Sequence, residues 1–200
     1  MRSALLILCF LLAASDTLTA ADRTLVTRAI ADVDGDGRLD SISIEMTDGR
    51  RYKDDRLWCG SADKYEGFFV IVVSIGDGRV ETRLNPFFGN GPMWFRASSW
   101  NLALAHYNTN GEWQFNLGQY ESCNSWSYRV FSIPSSGEIY AVSDRFSVSD
   151  FEGSTSNLFP VENGFRVKYY DNSRGGNWEM TYRWDPAGPM FRFESERRVD

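Results

Sequence analysis

Ala29-Ile30-Ala31-Asp32-Val33-Asp34-Gly35-Asp36-Gly37-Arg38-Leu39-Asp40-Ser41-Ile42-Ser43-Ile44-Glu45 is an apolar lead-in, an aspartate-rich turn and a strand with period-two alternation. The alternation after Asp40 places isoleucine on one face and serine on the other, as in a half-buried β-strand. A helical EF-hand would instead need a helix here and a glutamate at its twelfth position, which is Ser43. The turn therefore joins two strands.

The same grammar runs along the chain. Phe68 to Val73, the turn Gly76-Asp77-Gly78 and Arg79 to Leu84 read as a hairpin. Tyr128 to Ile133, Ser135-Ser136-Gly137 and Glu138 to Val142 form a second such unit. Phe165 to Tyr170, a turn near Gly175-Gly176 and Trp178 to Trp184 form a third. No window carries a sustained helical period of apolar residues, so the chain is expected to be all-β.

Internal repetition is also visible. Ala29 to Gly37 lines up with Ala103-Leu104-Ala105-His106-Tyr107-Asn108-Thr109-Asn110-Gly111, with asparagine replacing aspartate at two alternate positions. A fainter copy is Tyr169-Tyr170-Asp171-Asn172-Ser173-Arg174-Gly175-Gly176. Repeats are thus expected to begin near residues 25, 99 and 164.

The first loop has the chemistry of a calcium site. Calcium takes 6–8 oxygens at roughly 2.3–2.6 Å, whereas magnesium demands a tighter octahedron and keeps its waters. Asp32, Asp34 and Asp36 alternate around a tight turn, Gly37 permits the bend, the Arg38 carbonyl adds an oxygen and Asp40 closes the shell. In the second copy His106, Asn108, Asn110 and Gln114 carry no carboxylate. In the third, Asp171, Ser173 and Glu179 are available while Gly175 has no side chain. Both are expected to persist as turns.

Asp32-Val33-Asp34-Gly35-Asp36-Gly37-Arg38-Leu39-Asp40 with its following strand resembles the calcium loop of FG-GAP/VCBS-type repeats. The resemblance spans about 15 residues. It implies side-chain ligation by Asp32, Asp34, Asp36 and Asp40 with the Arg38 carbonyl. It also implies a small or irregular β-propeller-like array of antiparallel sheets built from strand–calcium loop–strand repeats.

The ends and the cysteines suggest the compartment. Met1-Arg2, the apolar run Ala4 to Ala14 and the small residues up to Ala21 have the order of a secretory signal peptide. Residues 1–21 are therefore expected to be removed, leaving a single domain over 22–200 in the periplasm or outside the cell. The apolar run falls short of the roughly 20 residues that span a bilayer, and no later segment reaches that length. In an oxidising compartment Cys59 and Cys123 are expected to form a disulfide, which would restrict the unfolded chain by about 4 kcal/mol; two free thiols are the alternative. The net charge of −6 disfavours nucleic acid and anionic lipid as partners.

An active site is not legible. His106 is the single histidine and sits at a turn position, so nucleophilic triads and histidine-rich zinc sites lack material. Glu121, Asp144, Asp150 and Glu152 are available for glycoside hydrolysis, but no spacing singles out a pair. The expected function is non-enzymatic: a structural Ca²⁺ holds a β-protein that binds a protein or glycan of the cell envelope. The runner-up is a periplasmic inhibitor or immunity protein acting on a secreted, lysozyme-like cell-wall hydrolase. Phe87 and Phe88, in the loop Asn85 to Pro92, are the candidate partner contact, the alternative being a loop folded onto the core. Trp94, Trp100, Trp113, Trp126, Trp178 and Trp184 lie in or beside expected strands, as core packing or as an exposed binding face.

Overall fold

The β-branched and aromatic runs become strands, and the glycine, asparagine and aspartate clusters between them become turns. The computed structural model describes residues 23–55, 62–96, 102–122, 125–149 and 158–199. Residues 1–22, with the expected signal segment, and Cys59 and Cys123, with the expected disulfide, lie outside the described residues. The chain is all-β: apart from a 3-10 turn at Asn85–Phe87, no helix forms among the described residues.

Three antiparallel sheets follow one another along the chain, and none closes into a barrel. The first has the order β1 (Thr24–Ala31), β2 (Asp40–Asp54), β3 (Ala62–Ile75) and β4 (Gly78–Arg83), with β5 (Met93–Arg96) pairing the opening half of β3. The second comprises β6 (Trp113–Ser122), β7 (Ser125–Ile133) and β8 (Tyr140–Ala141), with β9 (Phe146–Val148) beside the start of β7. The third is the meander β10 (Leu158–Val161), β11 (Gly164–Tyr170), β12 (Asn177–Asp185) and β13 (Met190–Val199). The hairpin expected at Phe68 to Leu84 forms around a two-residue turn, with Ile75 opposite Gly78 and Val73 opposite Val80.

The middle sheet is buried on both faces, which explains its density of large residues. Phe115, Leu117, Phe131 and Ile133 face the first sheet and pack with Ile42, Ile44, Phe69, Ile71 and Phe95. Trp126, Tyr128 and Val130 face the third sheet and pack with Phe165, Val167, Tyr182 and Phe191. The period-two alternation of β6 and β7 thus serves two cores at once. Val142 joins the sheets by accepting a 2.6 Å hydrogen bond from the Phe191 amide.

The Phe87–Phe88 loop does not present its rings to solvent as the partner-contact reading requires. Phe88 is buried, Phe87 is half-buried, and the Phe87 ring meets Phe131 edge-on at 5.1 Å. The cause is Asn85, whose buried amide accepts from the Phe69 N–H at 2.8 Å and donates to the carbonyls of Gly67 (3.1 Å) and Gly91 (2.7 Å). Asn85→Ala would orphan the buried Phe69 N–H and Gly67 carbonyl and release the more exposed Gly91 carbonyl. It is expected to cost about 2–3 kcal/mol, lowering Tm by roughly 5–10 °C. A thermal melt within a degree of the parent would remove this account of the loop.

Candidate metal centre

The loop between β1 and β2 is set by its own backbone. Gly35 and Gly37 adopt φ of 77° and 85°, a region that residues with a Cβ avoid. This curls the chain so that side chains cap its amides. Asp32 accepts from the Gly35 N–H at 2.8 Å and the Gly37 N–H at 3.0 Å. Asp34 accepts from the Asp36 N–H at 3.2 Å, and Asp40 accepts from the Val33 N–H at 2.8 Å.

Asp32, Asp34 and Asp40 are thereby brought together, each offering an oxygen within 4.8 Å of the others. Oxygens shared by one calcium at roughly 2.3–2.6 Å sit at most about 5 Å apart, so the spacing fits a common ion. Asp40 is buried, Asp32 half-buried and Asp34 exposed, which leaves the cluster open on one side. None of the three makes a salt bridge among the described residues.

Asp36 is not part of this group. Its carboxylate accepts from the Arg38 backbone N–H at 2.8 Å and from the Arg38 Nε at 2.7 Å. The Arg38 guanidinium and amide hold the Asp36 carboxyl below the usual carboxylate range. Sequence spacing places Asp36 with the ligands, whereas the nearby guanidinium turns it outward.

The second loop repeats the pairing register of the first. Ala31 pairs with Asp40 across the first loop, and Ala105 bridges to Gln114 across the second. The Tyr107 N–H donates to the Gln114 Oε1 at 2.7 Å, and the Asn110 N–H donates to the Asn108 Oδ1 at 3.1 Å. These are the bonds of Val33 to Asp40 and of Asp36 to Asp34, and Gly111 repeats the positive φ at 78°. His106 folds back onto its own loop: its Nδ1 lies 2.9 Å from the carbonyl of Glu112, the residue equivalent to Arg38, and its ring 4.1 Å from that of Trp113. The Trp113 Nε1 donates to the Asp32 carbonyl at 2.7 Å, tying the second loop to the first.

The third loop is shorter, closed by the Asp171 N–H on the Gly176 carbonyl at 3.0 Å. Asp171 accepts from Ser173 Oγ at 2.6 Å and from Arg174 Nε at 2.5 Å, which drives its carboxyl far below the ordinary range. Glu179 lies outside this loop, in β12 opposite Lys168, bonded to Arg197 at 2.7 Å. Burial alone would raise the Glu179 carboxyl, but Arg197 and Arg166 outweigh it and hold it low.

The other sequence candidates are dispersed. Glu121 accepts from Ser125 and Ser147 at the end of β6, and Asp144 is exposed beside Arg192. Asp150, Glu152 and Trp100 lie outside the described residues. Trp126 and Trp184 are buried in the second core and half-buried Trp113 packs against the first, whereas half-buried Trp178 lies under the Arg174 guanidinium at 3.7 Å and half-buried Trp94 lines a surface groove with Tyr52 and Tyr120. Among the described residues the exposed aromatics are Phe68, Tyr140, Phe159, Tyr170 and Phe193. Sequence patterning missed a groove of about 580 Å³ on the outer face of the first sheet. It is lined by Phe68, Val70, Arg83, Pro86 and Asn90 among others. Among the described residues no helix is long and apolar enough to cross a membrane. No protein-family model, curated protein or solved structure matches the chain.

Proposed function

We propose that the chain is an exported, non-enzymatic β-protein whose Asp32 to Asp40 loop holds one structural Ca²⁺ and whose surface binds another macromolecule, a protein or a glycan. The observation that carries this reading is the convergence of the Asp32, Asp34 and Asp40 carboxylates with no positive side chain paired to them. Three like charges in one turn repel unless a cation lies between them, and a hard dication suits an all-oxygen set. The loop is an FG-GAP/VCBS-type calcium turn in this reading, and the three sheets are blade-like units of an open, irregular propeller-like array. The doubly buried middle sheet supports that arrangement.

The ion acts through folding. Binding to the native chain alone stabilises it by about 2.7 kcal/mol at 100 times Kd, roughly 5–10 °C in Tm. Asp34→Ala is expected to erase the difference between melts in calcium and in EDTA, leaving the chelated value. A parent chain whose melting curve is the same in both buffers would sink the proposal.

With Phe87 and Phe88 packed inward, the groove at Phe68 and Arg83 is the better contact surface. It combines an exposed ring with a guanidinium that makes no ion pair among the described residues. For the inhibitor reading too, the Phe87–Phe88 loop is no longer the first candidate for the contact. Retention of envelope material by immobilised parent chain, lost in Phe68→Asp with Arg83→Glu, supports the groove; equal retention by the variant excludes it.

A further inference from the structure

Two of the three turns solve the first turn's electrostatic problem without an ion. In the second loop the position equivalent to Asp40 is Gln114, which is fully buried, and the position equivalent to Asp34 is Asn108, also buried. Backbone donors fix both amide orientations. The Tyr107 N–H needs an acceptor, so Gln114 turns its Oε1 toward it at 2.7 Å. The Asn110 N–H needs one too, so Asn108 presents Oδ1 at 3.1 Å.

The Gln114 Nε2 then donates to the Asn108 Oδ1 at 3.0 Å, with a longer contact of 3.5 Å to the Ser132 Oγ. It thus fills the gap that in the first loop separates two carboxylates with no donor between them. The second loop's first position contributes no side-chain oxygen, because it is His106, whose Nδ1 instead lies 2.9 Å from the Glu112 carbonyl. In the third loop the Arg174 guanidinium does the equivalent work on Asp171.

We infer that the Gln114 side-chain amide occupies in the second loop the place a cation takes in the first, so the chain has one cation-responsive turn and two bridged by its own side-chain donors. This rests on the calcium reading of Asp32 to Asp40 for its first half only. Removing the cation then loosens the corner between β1 and β2 and leaves the start of β6 intact. The device confines the direct response to calcium to the first sheet's N-terminal corner.

Hydrogen exchange on the full chain, with millimolar calcium and with EDTA, tests the parent. The amides of Val33 and Asp36 are expected to lose protection in EDTA, while those of Tyr107 and Asn110 keep theirs. Loss of protection at Tyr107 equal to that at Val33 overturns the inference. Unchanged protection at Val33 overturns the calcium reading of the first loop instead.

The second arm is Asn108→Asp combined with Gln114→Glu, which replaces the bridging amide by facing carboxylates. Its Tm in EDTA is expected to fall by about 5 °C or more below the parent's and to recover in calcium. Calorimetry should then count one more ion per chain than in the parent. A variant as stable as the parent in EDTA, with no added calcium uptake, overturns the inference whether or not the first loop binds. If the variant is not recovered folded, the parent exchange data decide.

Discussion

Phe165→Ala is expected to destabilise the chain by about 3–5 kcal/mol, a large share of the roughly 5–15 kcal/mol that holds a domain together. Phe165 is fully buried where the third sheet meets the second. Its ring stacks on Tyr182 at 4.9 Å and meets Phe191 at 5.1 Å, Tyr107 at 5.6 Å and Phe146 at 6.0 Å. These neighbours come from four separate segments, so none can close the cavity without disturbing its own strand or turn. The urea midpoint should fall with little change in the slope of the transition. A loss below about 1 kcal/mol would mean that the two sheets are not packed through this ring.

Gly118→Val is the complementary experiment, adding atoms where Phe165→Ala removes them. Gly118 lies in β6 opposite Tyr128 of β7, and the Tyr128 ring leans across it. A Cβ at Gly118 would come within 2.4 Å of the Tyr128 Cε1 and 2.5 Å of its Cδ1. Tyr128 cannot swing aside, being fully buried and stacked on Phe146 at 5.9 Å. Overpacking of this kind costs roughly 3 kcal/mol or more when a rigid ring is the obstacle. Gly91→Ala is the matched control, since a Cβ there meets no atom within 4 Å and the change should be close to neutral. Equal melts for the two variants would contradict the packing of the middle sheet.

What the sequence disclosed and withheld follows from the range of the forces involved. The hairpin around Gly76 and Asp77 is legible because alternation and turn chemistry are local. The likeness of the second loop to the first is legible for the same reason: position nine carries a side-chain oxygen in both, and each accepts the amide of position two. The inward fold of Phe87 and Phe88 is not legible, because it depends on Asn85 reaching backbone groups of β3. An apolar loop tip reads as exposed until that anchor is known.

The charged residues divide in the same way. Asp36 belongs to the ligand set by spacing alone, but Arg38 two residues on is a competing cation already in the chain. Glu179 aligns with a ligand position only while the third loop is assumed to match the first in length. The Gly176 carbonyl closes that loop early, and Glu179 is left in the sheet between Arg166 and Arg197. Burial on both faces of the middle sheet, with each face assigned to a different core, depends on tertiary structure.

The central claim is that the Asp32, Asp34 and Asp40 carboxylates form a structural calcium site. Calorimetric titration of calcium into chelator-stripped full-length chain, followed by a melt of the same sample, tests it most directly. The account predicts uptake of one ion per chain, a rise in Tm on loading, and loss of both in Asp34→Ala. Absence of binding heat together with an unchanged melting curve would contradict it.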